Sequence, residues 1–184
     1  MGPRLRGDDN EMISKISSYL WGPLTRFGLI VAAVACAIDQ ASKLYLLFVY
    51  DLAANPTRLG PYFDFVLTKN TGISYGLFAS EGAMGQWILL GFKAAAVALL
   101  WGWLSRAENR LTAVALGLIV GGALGNAIDR MAYGWVVDFV FFHVSGANWR
   151  FNWYVFNLAD VAIVAGVIGL LYESFVGERA AKAP

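Results

Sequence analysis

Several polar residues that could carry chemistry lie inside strongly apolar stretches of this chain. Asp39 and Lys43 are four residues apart, and Asp129 and Arg130 follow Asn126 by three and four residues. Residues at these spacings share one face of a helix, so Asp39 can form an ion pair with Lys43. We interpret that pair, and a pairing of Asp129 with Arg130, as structural support. Ionisable groups at such positions usually face a protein interior or a wet cavity.

Two further carboxylates, Asp138 and Asp160, have no evident cationic partner. Asp138 lies within the apolar run VVDFV, in a segment that we predict to be an outer loop, and Asp160 follows Asn157 by three residues at the start of an apolar stretch. Two carboxylates held together in a low-dielectric site share a proton, because both cannot easily ionise. One can then take a proton from water while the other protonates a carbonyl or a leaving amine, as in aspartic proteases. The residues alone leave the choice of pair open among Asp39, Asp129, Asp138 and Asp160.

The composition indicates that the solvent around these residues is lipid. Of the 184 residues, 58% are hydrophobic and 15% charged, with a net charge of +1 and a mean hydropathy of +0.56. These values exclude a water-soluble globular domain, a disordered chain and a nucleic-acid-binding protein. Cys36 and His143 are single copies of their residue types, which excludes an intrachain disulfide and the usual Cys/His zinc site. We therefore expect no metal and no cofactor.

Four apolar segments approach the length of about 20 residues that a bilayer-crossing helix needs. They cover residues 24–50, 84–104, 111–131 and 156–176. The long connection after the first segment is rich in aromatic and β-branched residues, which predicts a small β-element at about residues 58–80. Three glycines at intervals of four predict close helix packing in the third segment: Gly117, Gly121 and Gly125. The fold class is thus a mostly α membrane protein, with residues 1–184 forming a single domain.

The distribution of basic residues predicts the orientation in the membrane. Eight of the 14 lysines and arginines fall on one side of the predicted spans, and the positive-inside rule makes that side cytoplasmic. Both termini are then cytoplasmic, and Asp138 and Asp160 lie toward the opposite face. No role is assigned to Lys93 in the second span or to the first 20 residues. The basic residues on the cytoplasmic side are Arg4, Arg6, Lys15, Arg26, Arg106, Arg110, Arg179 and Lys182.

Five stretches together resemble the motifs of one family, the lipoprotein signal peptidases, or type II signal peptidases. They occur in the family's order and extend from Asp39 to Asp160, over most of the chain. Any one of them alone would be unspecific, whereas the set is highly specific. The stretches are DQASK at 39–43, KNTGISYG at 69–76, GGALGNAIDR at 121–130, VVDF at 136–139 and FNLAD at 156–160.

This resemblance implies an aspartyl endopeptidase of the bacterial inner membrane, with four spans, a periplasmic β-cradle between spans one and two, and an active site toward the periplasmic face. The family removes the signal peptide from diacylglyceryl-modified prolipoproteins by cutting before the lipidated Cys. Carried over by motif, the catalytic pair is Asp138 and Asp160, and Asp129 holds Arg130 and orients the loop leading to Asp138. Residues implied to support the site or position substrate are Asp39, Lys43, Asn70, Gly72, Asn126, Arg130 and Asn157.

The expected partners are lipid-modified prolipoproteins and membrane lipid, with no nucleic acid, and we expect a monomer. Two other classes of protein remain as alternatives at this point. A small transporter or channel subunit would use the carboxylates as a proton or cation path, but the four unequal segments show no clear inverted repeat. A non-enzymatic assembly factor would use them only for packing.

Overall fold

The computed structural model describes residues 20–71 and 95–181, with side chains described as far as residue 175. Gly72, Lys93, most of the predicted second span and the end of the predicted β-element lie outside these residues. The described helices are α1 (Thr25–Leu44), which continues as a π-helical turn (Tyr45–Val49), α2 (Ala95–Leu104), α3 (Arg110–Tyr133) and α4 (Leu158–Ala181). The strands are β1 (Thr57–Arg58), β2 (Phe63–Asn70), β3 (Val136–Ser145) and β4 (Arg150–Phe156).

Three of the described helices are long and apolar enough to cross a membrane, judged by length and composition. They are Thr25–Val49, Arg110–Tyr133 and Leu158–Phe175, and they coincide with the first, third and fourth predicted spans. Of the second predicted span, the described part is the shorter apolar helix α2. Half of the described residues of α4, from 158 to 175, are exposed, which is consistent with a helix that borders on lipid.

Helix α3 is the centre of the bundle and packs against both α1 and α4. A Cβ atom on Gly117 or Gly121 would meet the backbone of α1, at the carbonyl groups of Gly28 and Ala32 respectively. The predicted glycine stripe is therefore confirmed as a surface of close helix packing, because only residues without a side chain allow this approach.

The four strands form one antiparallel sheet in the order β1-β2-β3-β4. The predicted location of the β-element was therefore incomplete, because β3 and β4 come from the connection between the third and fourth predicted spans. Asp138 lies on β3 and not in a loop. The run from Val136 to Phe142 consists of β-branched and aromatic residues around Asp138, and such residues favour a strand that is buried against a neighbour.

An apolar core joins the sheet to the end of α1 and fixes β3 above the helix bundle. Leu46 of the π-helical turn and Leu52 pack with Val137 and Phe139 of β3 in this core. The alternation of side chains along β3 then places Asp138 on the other side from Val137 and Phe139. The strand thus holds a carboxylate at the end of the helices.

Candidate active site

A buried cluster of three charged side chains lies between α1 and α3. The Lys43 ammonium group is 2.8 Å from the Asp39 carboxylate and 2.7 Å from that of Asp129, and all three side chains are at most 1% exposed. The predicted ion pair of Asp39 with Lys43 is confirmed. The predicted pairing of Asp129 with Arg130 is wrong, because consecutive residues of a helix point in different directions. Arg130 instead donates to the backbone carbonyl of Asn126 at 3.3 Å.

The charged cluster also binds the backbone of the elements around it. Asp39 accepts a hydrogen bond from the backbone N–H of Ala159 on α4 at 2.9 Å, and Asp129 accepts one from Val137 on β3 at 3.0 Å. Asp129 therefore holds the segment that leads to Asp138. These bonds bring two helices, α1 and α3, into fixed positions relative to α4 and β3.

Gln40 belongs to the same cluster and was not among the predicted supporting residues. Its amide nitrogen donates to the Asp129 carboxylate at 2.8 Å and to the backbone carbonyl of Gly125 at 3.0 Å. The signal that could have identified it was its position inside the DQASK stretch. Gly125 also lies against this cluster, because a Cβ atom there would meet the Asp39 carboxylate.

Asn126 connects the charged cluster to Asp160. Its side-chain oxygen accepts a hydrogen bond from the Lys43 ammonium group at 3.0 Å, and its amide nitrogen donates to Asp160 at 2.9 Å. One amide group therefore separates the buried cation from this carboxylate.

Asn157 and Asp160 form a reciprocal pair of hydrogen bonds at the start of α4. The Asn157 side-chain oxygen accepts from the backbone N–H of Asp160 at 3.0 Å, and the Asp160 carboxylate accepts from the backbone N–H of Asn157 at 3.2 Å. This is the geometry of a capping box, which satisfies N–H groups that a helix start leaves without partners. The spacing N-x-x-D before an apolar run was the signal for it. The box fixes the Asp160 carboxylate at the positive end of the helix dipole.

Asp138 is 2% exposed and is held by two asparagine side chains. Asn157 donates to one of its oxygens at 2.6 Å, and Asn70 of β2 donates to the other at 2.9 Å. Burial raises the pKa of Asp138 above its ordinary value, and the charge of Asp160 adds to this, whereas the two amide hydrogen bonds oppose it. Asn157 thus contacts both Asp138 and Asp160, so the two carboxylates belong to one site.

The structure brings eight of the ten predicted site residues into one network: Asp39, Lys43, Asn70, Asn126, Asp129, Asp138, Asn157 and Asp160. Arg130 lies at its edge and is exposed, and Gly72 falls outside the described residues. Across residues 20–71 and 95–175, no group of three or more His, Cys, Asp or Glu side chains is arranged to hold a metal ion.

Comparisons with known proteins show the family of this chain. A family model described as signal peptidase II matches residues 31–176. The lipoprotein signal peptidase of Nitrobacter hamburgensis is 59% identical over 160 residues, covering 86% of this chain and 98% of that protein. The lipoprotein signal peptidase of Methylorubrum extorquens is 57% identical over 150 residues, covering 81% of this chain and 85% of that protein.

The fold is similar to that of a solved bacterial membrane enzyme, determined by the in meso method. The two share a TM-score of 0.63 and 24% sequence identity, covering 85% of this chain and 92% of that one. The chain belongs to the signal peptidase II family, and it is accordingly a membrane peptidase.

Proposed function

We propose that this protein removes the signal peptide from diacylglyceryl-modified prolipoproteins by cutting before the lipidated Cys, with Asp138 and Asp160 activating the attacking water. The observation that carries this proposal is the contact of both carboxylates with Asn157. Asp39 and Asp129 are each bound to Lys43, so one cation offsets part of their combined negative charge. Asp138 and Asp160 accept their hydrogen bonds from amides and backbone instead.

Peptide hydrolysis needs one group to take a proton from water and another to give a proton to the peptide. Two adjacent carboxylates that share one proton supply both groups without a metal or a covalent intermediate. The role of Asn70, Asn126 and Asn157 in this scheme is to hold the carboxylates in fixed positions by hydrogen bonds, which lowers the cost of orienting them for reaction.

The position of the pair suits a substrate that is anchored in the bilayer. Asp160 lies in the first turn of the apolar helix α4, and Asp138 lies on the strand above it. A lipidated Cys at the membrane surface would bring its scissile bond to this level without leaving the bilayer. Apolar surface beside the site would then bury acyl chains at about 0.8 kcal/mol per CH₂.

We place the site at the periplasmic face, with both termini in the cytoplasm. Arg106 precedes α3 and Arg110 is its first residue, whereas Asn126 and Asp129 lie near its other end. The 1.5 Å rise per residue separates Arg110 from Asp129 by roughly 30 Å, close to the thickness of the hydrocarbon core. The positive-inside rule assigns the arginine end to the cytoplasm and therefore the carboxylate end to the outer face.

The test uses the full chain, purified in detergent, with a diacylglyceryl-modified prolipoprotein as substrate and mass spectrometry of the products. The parent is expected to release a product that begins with the lipidated Cys. Asp160→Asn is expected to remain folded and to cleave at least about 10³-fold more slowly, because it removes one of the two proton-transferring groups.

Asp51→Asn is the matched control, because Asp51 is exposed and its positive φ of 52° suits asparagine as well as aspartate. It is expected to cleave like the parent. Cleavage by Asp160→Asn at the parental rate would contradict the assignment of Asp160, and failure of the parent to cleave would contradict the proposed function.

A further inference from the structure

The side of the sheet that carries Asp138 continues, away from the helices, into an aromatic pocket. We propose that this pocket binds a large apolar side chain of the mature lipoprotein, about two to four residues beyond the scissile bond, and thereby favours substrates that carry one. The inference rests on the function proposed above and adds a determinant of specificity to the same site. The residues that line the aromatic pocket are Phe63, Phe142, Phe151, Trp153 and Phe156.

The register of β3 places the pocket on the same side of the sheet as Asp138. Side chains alternate along a strand, so Asp138, Val140 and Phe142 share one side. Phe142 is paired with Phe63 of β2, and the two rings lie 5.2 Å apart. Val140 is paired with Phe156, the last residue of β4. The pocket therefore begins at the first residue pair beyond Asp138 on that side of the sheet.

Three aromatic side chains of the pocket remain accessible. Phe63 and Phe151 are each 43% exposed and Trp153 is 53% exposed, and the pocket encloses a cavity of about 430 Å³. The other side of the sheet at this level carries the polar pair of Asp64 with His143. An accessible aromatic surface with a cavity of this size, next to a site that could do chemistry, indicates that it binds a ligand.

The spacing along β3 gives the distance of the pocket from the scissile bond. Residues of a strand rise by about 3.4 Å each, so Val140 lies about 7 Å and Phe142 about 14 Å from Asp138 along the strand. An extended substrate advances by about 3.3–3.6 Å per residue and covers these distances with roughly two to four residues. The pocket is therefore within reach of the second to fourth residue on one side of the scissile bond.

The direction of β3 decides which side of the scissile bond this is. Strands β3 and β4 connect the end of α3 to the start of α4, so the turn between the two strands is their end farthest from the helices. A signal peptide has an apolar core, which keeps it in the bilayer at the level of the helices. The segment that continues along β3 beyond Asp138 is therefore the one that begins with the lipidated Cys.

The chemistry of the pocket defines the side chain that it favours. The five residues that line it contribute aromatic rings and no charged group. A phenylalanine or leucine side chain gains free energy when its apolar surface leaves water for such a pocket, whereas a serine side chain has little apolar surface to bury. The pocket should therefore distinguish substrates by the size and polarity of one early residue of the mature protein.

The test measures cleavage of a set of diacylglyceryl-modified prolipoproteins by the full chain in detergent. The substrates differ only at the second to fourth residues of the mature protein, counting the lipidated Cys as the first. One substrate has serine at all three positions, and each of the others has phenylalanine at one of them. The parent is expected to cleave at least one phenylalanine substrate with a kcat/KM about tenfold above that of the serine substrate. Equal values for all substrates would overturn the proposal.

Trp153→Ala tests whether the aromatic pocket causes this preference. The substitution removes one wall of the pocket, so the ratio of kcat/KM between the preferred phenylalanine substrate and the serine substrate is expected to fall toward one. Tyr154→Ala is the matched control, because Tyr154 is the next residue of β4 and is 76% exposed, and it is expected to keep the parental ratio. An unchanged ratio in Trp153→Ala, or an equal loss on all substrates, would overturn the proposal.

Two other occupants of the pocket predict different results. An acyl chain of the lipidated Cys would make the effect of Trp153→Ala depend on acyl-chain length and not on the phenylalanine. A bilayer surface would make Trp153→Ala slow the cleavage of all substrates in lipid nanodiscs but not in detergent. Either result would overturn the proposal. A parent that cleaves none of the substrates contradicts the proposed function, whereas a parent that cleaves all of them equally contradicts only the role of the pocket.

Discussion

The site contains two groups of carboxylates that differ in how their charge is balanced. Asp39 and Asp129 are 0% exposed and share the Lys43 ammonium group, with a backbone N–H bound to each. Asp138 and Asp160 share Asn157 and receive amide and backbone donors. Both groups lie within one hydrogen-bonded network, and the bound cation distinguishes the first group from the second.

Under the proposed function, this difference separates a supporting role from a reactive one. The Lys43 ammonium group holds Asp39 and Asp129 by ion pairs, whereas the donors that hold Asp138 and Asp160 are uncharged amide and backbone N–H groups. Removing one partner from the cation-bound group should cause the larger loss of stability, because the remaining charges are left uncompensated in a low dielectric. The two groups should therefore respond in opposite ways to substitution.

The largest loss of stability is expected for Lys43→Met, which leaves Asp39 and Asp129 without their cation. Breaking a buried ion pair costs roughly 3–5 kcal/mol, measured here as thermal unfolding in detergent. Lys69→Met is the matched control, because Lys69 is exposed and its contact with the Trp135 ring is worth about 1 kcal/mol at most. Equal unfolding temperatures for the two variants would contradict the supporting role of the cluster.

A smaller loss is expected for Gly125→Ala, because the new Cβ atom would meet the Asp39 carboxylate. Forcing a buried helix surface apart costs about 1–3 kcal/mol. The same substitution at Gly102 meets no atom within 4 Å, and replacing a helical glycine with alanine there should stabilise the protein by about 0.5–1 kcal/mol. Thermal unfolding of the two variants measures the contrast, and a stabilised Gly125→Ala would contradict the close approach.

In contrast to the variants above, Asp138→Asn is expected to stabilise the protein at neutral pH. The free energy of unfolding should rise by about 1 kcal/mol, because the substitution removes a carboxyl group whose charged form burial disfavours. A carboxyl group with a raised pKa in the folded state contributes stability that is present at low pH and is lost as the pH rises through that pKa. The advantage of the variant should therefore grow as the pH rises from the acid range to neutral. Thermal unfolding at a series of pH values measures it, and an advantage that shrinks with rising pH would contradict the argument.

The smallest effect is expected for Asp64→Asn on the sheet. Asp64 lies 3.1 Å from His143, and both side chains are partly exposed, so the pair should contribute less than about 1 kcal/mol. Cleavage should be unchanged, because neither residue contacts the network around Asn157. A loss of cleavage in this variant would show that the sheet contributes a charged group to the reaction.

Part of this arrangement could be predicted from the sequence because it depends on local spacing. The ion pair of Asp39 with Lys43 follows from a separation of four residues on one helix. The three long apolar helices follow from the length of the hydrophobic segments, and the glycine stripe of α3 follows from its period.

The remainder depends on how distant segments pack, which local spacing does not determine. The bond of Lys43 to Asp129 requires α1 to lie against α3 in one register, and the sequence neighbour Arg130 gave the wrong partner. Strands β3 and β4 were missed because the segment around Asp138 was assigned to an outer loop, although its residues favour strands. The capping box of Asn157 with Asp160 was visible as a local pattern but was not read as one.

The most direct test of the division of roles is the rate of cleavage of a lipidated prolipoprotein per folded molecule, compared between Asp138→Asn and Asp129→Asn. We predict that Asp138→Asn is folded and inactive, whereas Asp129→Asn unfolds at lower temperature but retains measurable cleavage. Cleavage by Asp138→Asn at the parental rate would contradict the account, since the reactive role would then belong to another group.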